Sequence, residues 1–217
     1  LLAFYRSAIG KKFVMGVTGL IGISFVVVHM TGNLLAFAGR ETINAYSHFL
    51  KETGELLVIA RVTLVVALVL HVVAAVQLAR QSRAARPIGY AALHPQASTF
   101  ASRSMRWGGL LLLVFIVFHI MHFTTGAVRP QGAFSSSDVY SNIVTSFQIW
   151  WVTLIYLVAM VLLGLHLFHG AWSSPRSLGV SPRKANPLHR KLPLFIAAVL
   201  WLGFVAVPIG VALGVIR

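Results

Sequence analysis

The 217-residue sequence contains no cysteine. That excludes a disulfide scaffold, a thiolate zinc site, thiolate-held iron–sulfur clusters, a catalytic thiol and covalent c-type haem attachment. Haem held by histidine stays open. Charge is scarce as well: 10% of the residues are charged and 58% are hydrophobic, where a soluble domain carries about 25% charged residues. A chain of this length could bury one core, but it lacks the polar residues to cover it. A water-soluble globule and a disordered chain are both excluded, and an integral membrane protein remains. Acids are the rarest charged group, with four Asp and Glu against 18 Lys and Arg, a formal charge of +14. In a soluble protein this excess would suggest nucleic acid. Here the cations are confined to short segments between long apolar runs, so they report membrane topology first and a basic docking face second, and no nucleic-acid partner is expected. No phosphate-cradling or nucleophile motif is present.

What the sequence has in abundance is long apolar runs. Five reach the roughly 20 residues that cross a bilayer, at approximately 13–38, 56–80, 107–128, 147–172 and 194–216. They are continuous rather than alternating, which argues against a β-barrel. The expected fold is therefore an all-α integral membrane protein, a single membrane domain over 1–217 with five transmembrane helices. The first run follows Arg6, Lys11 and Lys12 and is too long for a signal peptide, so it reads as a retained helix. Sorting Lys and Arg onto alternate sides places thirteen on the side of the N-terminus and five on the other. The positive-inside rule then puts the N-terminus in the cytoplasm and the C-terminus outside. All four acids, Glu41, Glu52, Glu55 and Asp138, fall in or beside the outer loops.

Nine histidines are present, and six lie inside the runs: His29, His71, His119, His122, His166 and His169. An ionisable side chain at membrane depth is costly and usually functional. A single one is readily a hydrogen-bonded packing device, but here four successive runs each carry at least one. Depth sorts them. With 1.5 Å of rise per residue, His29 and His119 lie nine residues from the outer ends of their runs. His71 lies nine, and His166 six, from the inner ends. The expectation is an outer pair, His29 and His119, and an inner pair, His71 and His166, about 10 Å apart along the membrane normal. Facing imidazoles from a bundle are what a bis-histidine haem requires. His122 and His169 share the same faces one turn away and are the less favoured alternatives. Zinc or a di-metal centre would want carboxylates or a tighter cluster, and no Asp or Glu lies deep in a run. Gly22, Gly32 and Asn33 near His29, Ala67, Ala74 and Ala75 near His71, Gly108 before His119 and Gly170 after His166 make those faces small. Gly16, Gly19 and Gly22 lie in series. Such residues suit a flat macrocycle and close helix packing equally.

The segments Phe4-Tyr5-Arg6-Ser7-Ala8-Ile9-Gly10-Lys11-Lys12, His29-Met30-Thr31-Gly32-Asn33-Leu34 and Asn44-Ala45-Tyr46-Ser47-His48-Phe49-Leu50 occur in this order. They are followed by the Arg61…His71 stretch, His119-Ile120-Met121-His122 and His166-Leu167-Phe168-His169-Gly170-Ala171-Trp172. Over essentially its whole length the chain resembles the five-helix, di-haem cytochrome b membrane-anchor subunit of succinate dehydrogenase, the type paired with menaquinone. The resemblance implies two b haems, with His29, His71, His119 and His166 as axial ligands to iron in the first four helices. It also implies a multi-pass protein of the bacterial cytoplasmic (inner) membrane, working in the respiratory chain and the tricarboxylic acid cycle. Its partners would be a flavoprotein subunit holding FAD and an iron–sulfur subunit holding the clusters, both docked on the basic cytoplasmic face, where Arg83, Arg86, Arg103, Arg183, Tyr90 and His94 are candidate contacts. Some family members carry a glutamate near the fourth-helix ligand; here Gly164 and Leu165 precede His166.

A menaquinone headgroup needs polar contacts at an apolar boundary and a proton donor or acceptor. The outer edge offers Asn33, Tyr46, His48, Glu55 and Arg61. The inner edge offers Tyr5, Arg6, Ser7 and Lys12. A second haem has purpose only if electrons leave at the outer edge, which favours the first group. The competing functions are the cytochrome b anchor of another respiratory dehydrogenase, such as a formate dehydrogenase or hydrogenase, and a non-redox membrane protein with packing histidines.

Overall fold

The computed structural model describes residues 2–85, 99–180 and 188–217. Arg86, Tyr90, His94 and Arg183 lie outside the described residues. Eight α-helices are found among them, and no strand. A short helix α1 (Leu2–Arg6) leads into α2 (Ala8–Leu34), which tightens into a 3-10 turn over Leu35–Ala38. Then come α3 (Arg40–Glu52), α4 (Glu55–Ala84) and α5 (Phe100–His119), which closes with a π turn over Ile120–Thr124. The chain ends with α6 (Val139–Phe147), α7 (Trp150–Ser177) and α8 (Leu188–Ala212). Five of these segments are long and apolar enough to cross a membrane: Ala8–Ala38, Glu55–Ala84, Phe100–Thr124, Trp150–Ser177 and Lys191–Ala212. Their surfaces carry many exposed Val, Leu, Ile and Phe side chains, as a lipid-facing helix does and a soluble one does not.

The expected runs are thus found, with ends shifted by up to seven residues; three of the shifts have a clear cause in the backbone. The third stops at Thr124 rather than 128. Its last turn widens, Thr125 N–H donates to Ile120 O, and Gly126 turns back at φ 65° with the Phe134 ring against its Cα, where a Cβ would collide. The fourth starts at Trp150 rather than 147. Residues 139–147 form a separate helix, and Ile149 is extended between the two. The fifth stops at Ala212 rather than 216. Gly214 adopts φ 73°, and Val215 and Ile216 return their N–H groups to Gly210 O at 2.8 and 3.1 Å, the left-handed glycine cap of a helix end. At the other end of the molecule Ser7 caps α2, its Oγ accepting from Gly10 N–H at 2.9 Å. Gly10 is required there because the Phe4 carbonyl occupies the place of a side chain.

Close backbone packing joins α2 to α4, α5 to α7, α2 to α7, and α8 to both α7 and α2. The contacts of α2 with α5 and of α4 with α7 are much sparser. α8 therefore buttresses the α2–α7 seam, where Leu167, Ala197 and Leu200 are buried with Ile23, Val26 and Met30 against them. The Met30 thioether lies against Gly203, leaving no room there for a Cβ.

The largest buried cluster sits at the end of the bundle that carries the acids. Ala36, Ile43, Tyr140, Ile143, Phe147, Val152, Val207 and Ile216 join the 3-10 turn, α3, α6, the start of α7 and the end of α8. Asp138 pins this cap. Its carboxylate accepts from Asn44 Nδ2 (3.0 Å) and from Ser141 N–H (3.1 Å), the second bond capping α6, and lies 3.5 Å from Arg40. Lys51 donates to the Ser136 carbonyl beside it. The Asn44 amide holds the Asp138 carboxyl below its ordinary value of 3.8. Partial burial works the other way, and Ser141 and Arg40 add to the lowering. The sign follows from linkage: a carboxyl depressed in the folded state stabilises above its ordinary value and loses that contribution as pH falls through the folded one. Asp138→Ala should lower stability at pH 7 by about 1 kcal/mol, the usual worth of an N-cap, and the difference from the parent should shrink as pH drops below 3.8. Thermal unfolding in detergent followed by tryptophan fluorescence checks both. A difference independent of pH would show that the charge contributes nothing.

Candidate functional site: two facing histidine pairs

The four favoured histidines come together as the two pairs expected from depth. The His29 and His119 rings lie with centroids 5.7 Å apart and planes at 82°. Those of His71 and His166 lie 6.1 Å apart at 54°. Each pair spans two helices whose backbones are not closely packed, α2 with α5 and α4 with α7. The rings therefore meet across gaps and not along helix seams. All four are only half-buried in the chain alone. His29 stacks on Phe25 with centroids 5.2 Å apart, and Phe204 lies on its other flank.

Hydrogen bonding orients one member of each pair, His71 and His119. Thr18 Oγ gives its proton to the Val14 carbonyl at 2.8 Å, so toward His71 it can only accept. His71 Nδ1–H therefore donates to it at 3.1 Å, and Nε2 is left with a bare lone pair. Around the other pair a longer relay does the same. His122 Nε2–H donates to Gln131 Oε1 at 3.1 Å, with Ser146 Oγ also 3.0 Å from that nitrogen. Its Nδ1 then accepts from Tyr156 OH at 3.0 Å, and the tyrosine oxygen accepts from His119 Nδ1–H at 3.3 Å. In that arrangement Nε2 of His119 carries a bare lone pair. As placed, the Gln131 amide presents Oε1 to His122 and leaves its Nε2 buried without a partner.

His122 and His119 differ in their surroundings. His122 is completely buried, both of its ring nitrogens are engaged, and it packs on Phe123 at 4.2 Å between centroids. It belongs to the wall of the site. His169 is half-buried one turn beyond His166. His166 Nδ1 is buried without any hydrogen-bond partner.

The donor set fits a haem iron at each pair. Two imidazoles bound to one metal through bonds of about 2.0 Å place their ring centroids about 6 Å apart, close to the two separations found. Among the described residues no three or more His, Asp or Glu side chains gather as a metal site, so the described residues bring two imidazoles together at each pair. The glycines divide between the two uses open to them. Nothing lies within 4 Å of a Cβ added at Gly22 or Gly170, which face open space, while Gly19 backs onto His71 at 3.5 Å. Gly16 packs against Leu178, Gly108 against Leu162, and Gly32 seats the Tyr46 ring so closely that a Cβ would stand 2.7 Å from it. Ala67 and Ala74 are buried.

The candidate quinone residues are only partly gathered. Tyr46 lies on Gly32, one turn past His29, next to half-buried Asn33. His48 turns to Glu52 at 3.3 Å in an exposed i, i+4 pair. Glu55 and Arg61 are exposed on the first two turns of α4. The sequence reading did not single out Thr18, Gln131, Ser146 or Tyr156. The signal available was a tyrosine and a threonine at mid-span, which in lipid must find a partner.

No protein-family model, curated protein or solved structure matches the chain.

Removing the Tyr156 hydroxyl strands two imidazoles at once. Tyr156→Phe should cost about 1–3 kcal/mol, the penalty of leaving buried polar groups unpaired, while Thr18→Val, which strips one half-buried ring, should cost less. Thermal midpoints of the two variants in one detergent test the order, and equal midpoints would mean that the relay is not structural.

Proposed function

We propose that this chain is the membrane-anchor cytochrome b subunit of a succinate dehydrogenase, passing electrons from an iron–sulfur subunit through two b haems to menaquinone. The observation that carries the proposal is the pair of facing imidazole couples, His29–His119 and His71–His166, each drawn from two helices that stay apart. A bound b haem supplies a one-electron carrier at each couple. The chain's own residues do the rest. His29, His119, His71 and His166 would hold the iron through their imidazoles. Thr18 and the Tyr156–His122–Gln131 relay hold His71 and His119 in the tautomer that presents Nε2. Phe25, Phe115 and Phe123 pack on the outer pair and exclude water from it.

Orientation follows from charge. The end bearing Arg6, Lys11, Lys12, Arg80, Arg83, Arg103 and Arg106 faces the cytoplasm of a bacterial cell, and the flavoprotein and iron–sulfur subunits dock there. With haems bound, the His71–His166 couple would be the one nearer the docked iron–sulfur subunit and the His29–His119 couple the one nearer the acid-bearing end. The menaquinone headgroup then belongs at the acid-bearing end, where Tyr46 and Asn33 lie within a turn of His29. His48, Glu52 and Glu55 are exposed there to exchange protons with water.

A pyridine haemochrome assay on the purified complex should give about two haems per chain, by the ligand count. His29→Ala or His119→Ala should remove the outer haem, and His71→Ala or His166→Ala the inner one, each read in the reduced-minus-oxidised spectrum. His122→Ala and His169→Ala should keep both. Zero or one haem in the parent, or a haem lost from His122→Ala and not from His119→Ala, overturns the assignment. Co-purification of a flavoprotein and an iron–sulfur subunit tests the dehydrogenase; different partners would place these haems in another respiratory enzyme. For the quinone, a Glu55→Gln, His48→Ala double variant with both haems intact should lose quinone reduction; unchanged turnover would remove the acid-bearing end as its site.

A further inference from the structure

At the basic end of the bundle, a cavity of about 510 Å³ opens between α1, the start of α2 and the end of α4, lined by Tyr5, Arg6, Lys11, Gln77, Arg80 and Gln81. Among the described residues its polar groups have few partners. Lys11 is only 5% exposed, and its ammonium donates to one acceptor, the Arg6 carbonyl at 2.7 Å, with the Tyr5 ring 5.7 Å away. Gln77 Oε1 is buried with no hydrogen-bond partner. A buried cation is expensive unless an anion faces it, and this chain has no carboxylate to offer. Its four acids are Glu41, Glu52, Glu55 and Asp138. All of them lie at the far end of the helices: some thirty residues of helix separate Lys11 from Glu41, on the order of 45 Å. Three cations therefore share one recess without a counter-ion from the chain.

The surroundings say what kind of anion fits. The recess lies at the water-facing end of a membrane helix pair. α4 packs closely on α2 and presents most of its remaining surface outward. From Gln77 down into the span, the same face of α4 carries Val73, Leu70, Val69 and Val66, which are 38–54% exposed and stand four, seven, eight and eleven residues before it. A polar recess that continues into an exposed apolar stripe matches a headgroup with acyl chains attached. A neutral quinone ring would leave the three charges unneutralised.

We infer that this recess is a binding site for one anionic phospholipid. Its phosphate is held by Lys11, Arg6 and Arg80, a headgroup hydroxyl donates to Gln77 Oε1, and its acyl chains lie along the Val66–Val73 face of α4. A hydroxylated, singly charged headgroup of the phosphatidylglycerol class neutralises the one buried cation, Lys11, and fills the orphaned acceptor, while the exposed Arg6 and Arg80 keep their contact with water. Basic pockets between helices at the cytoplasmic side of a membrane are suited to such lipids.

The test is native mass spectrometry of the intact, cofactor-loaded protein in detergent, titrated with phosphatidylglycerol, phosphatidylcholine or inorganic phosphate. One phosphatidylglycerol should be retained per chain, at least tenfold more tightly than phosphatidylcholine. Arg6→Gln and Arg80→Gln should each weaken it about fivefold, as expected for one basic residue at a membrane surface, and Arg129→Gln at the opposite end should not. Both arginines are exposed, so these variants report even if Lys11→Met fails to fold. Equal retention of the two lipids, or no change in the Arg6→Gln, Arg80→Gln double variant, overturns the site. Millimolar inorganic phosphate competing for it would make the ligand a soluble anion. Cross-linking of Lys11 to a carboxylate of a co-purified subunit would make the recess a protein contact. Either result also rejects the lipid.

Discussion

An imidazole placed deep among apolar side chains loses its hydration and has to find polar partners inside the protein. Four such rings, one on each of α2, α4, α5 and α7, set the problem that the bundle solves. Its solution is uneven packing. α2 with α4, α5 with α7 and α2 with α7 are closely packed, while the two helix combinations that carry a facing pair, α2 with α5 and α4 with α7, stay apart. Uniform packing would have driven the rings into direct contact or into helix backbones. As built, the rings meet at 5.7 and 6.1 Å between centroids with small residues such as Gly22 and Gly170 beside open space. α8 carries no described histidine toward the pairs, and its part is to hold the α2–α7 seam so that the gaps beside it persist.

The two ends of the bundle handle polar chemistry differently. At the acid-bearing end almost everything is partnered within the chain: Asp138 with Asn44, Ser141 and Arg40, Tyr140 OH with the Arg217 carbonyl, Tyr156 with His119 and His122. The densest buried cluster lies there too. At the basic end, a cluster of cations faces no carboxylate of the chain, and Gln77 has an unused acceptor. The chain's own dipoles fix the polar groups at one end, while at the other the cations stand without a carboxylate of the chain. The exposure of α4 points the same way, since a helix packed closely only on α2 depends on the bilayer for the rest of its surface.

The spans were legible because lipid demands continuous apolar residues, and a demand of that kind is written directly into composition. Their ends were less so. Val128 and Phe147 are apolar and read as parts of spans, yet the π turn at Ile120–Thr124 with Gly126, and the extended Ile149, stop the helices for reasons of backbone geometry. The pairing of the histidines was also legible, since depth is a count of residues from a helix end. Choosing between His119 and His122 was not. Three residues apart on one helix, they share a face, and periodicity treats them alike.

What sets their surroundings apart comes from residues distant in sequence. Gln131 from the following loop, Ser146 from α6 and Tyr156 from α7 close on His122 and bind both of its nitrogens, and the same tyrosine turns His119 so that one nitrogen is left over. The sequence by itself determined the five apolar helices, the basic and acidic ends, and the two depths at which histidines lie, because each is a property of residues counted along one segment. Only the tertiary structure decided which histidines are left with a free lone pair, which glycines open space and which close it, and that three cations converge on one recess. Each of these depends on groups brought together from different helices, and no single segment contains the distances between them.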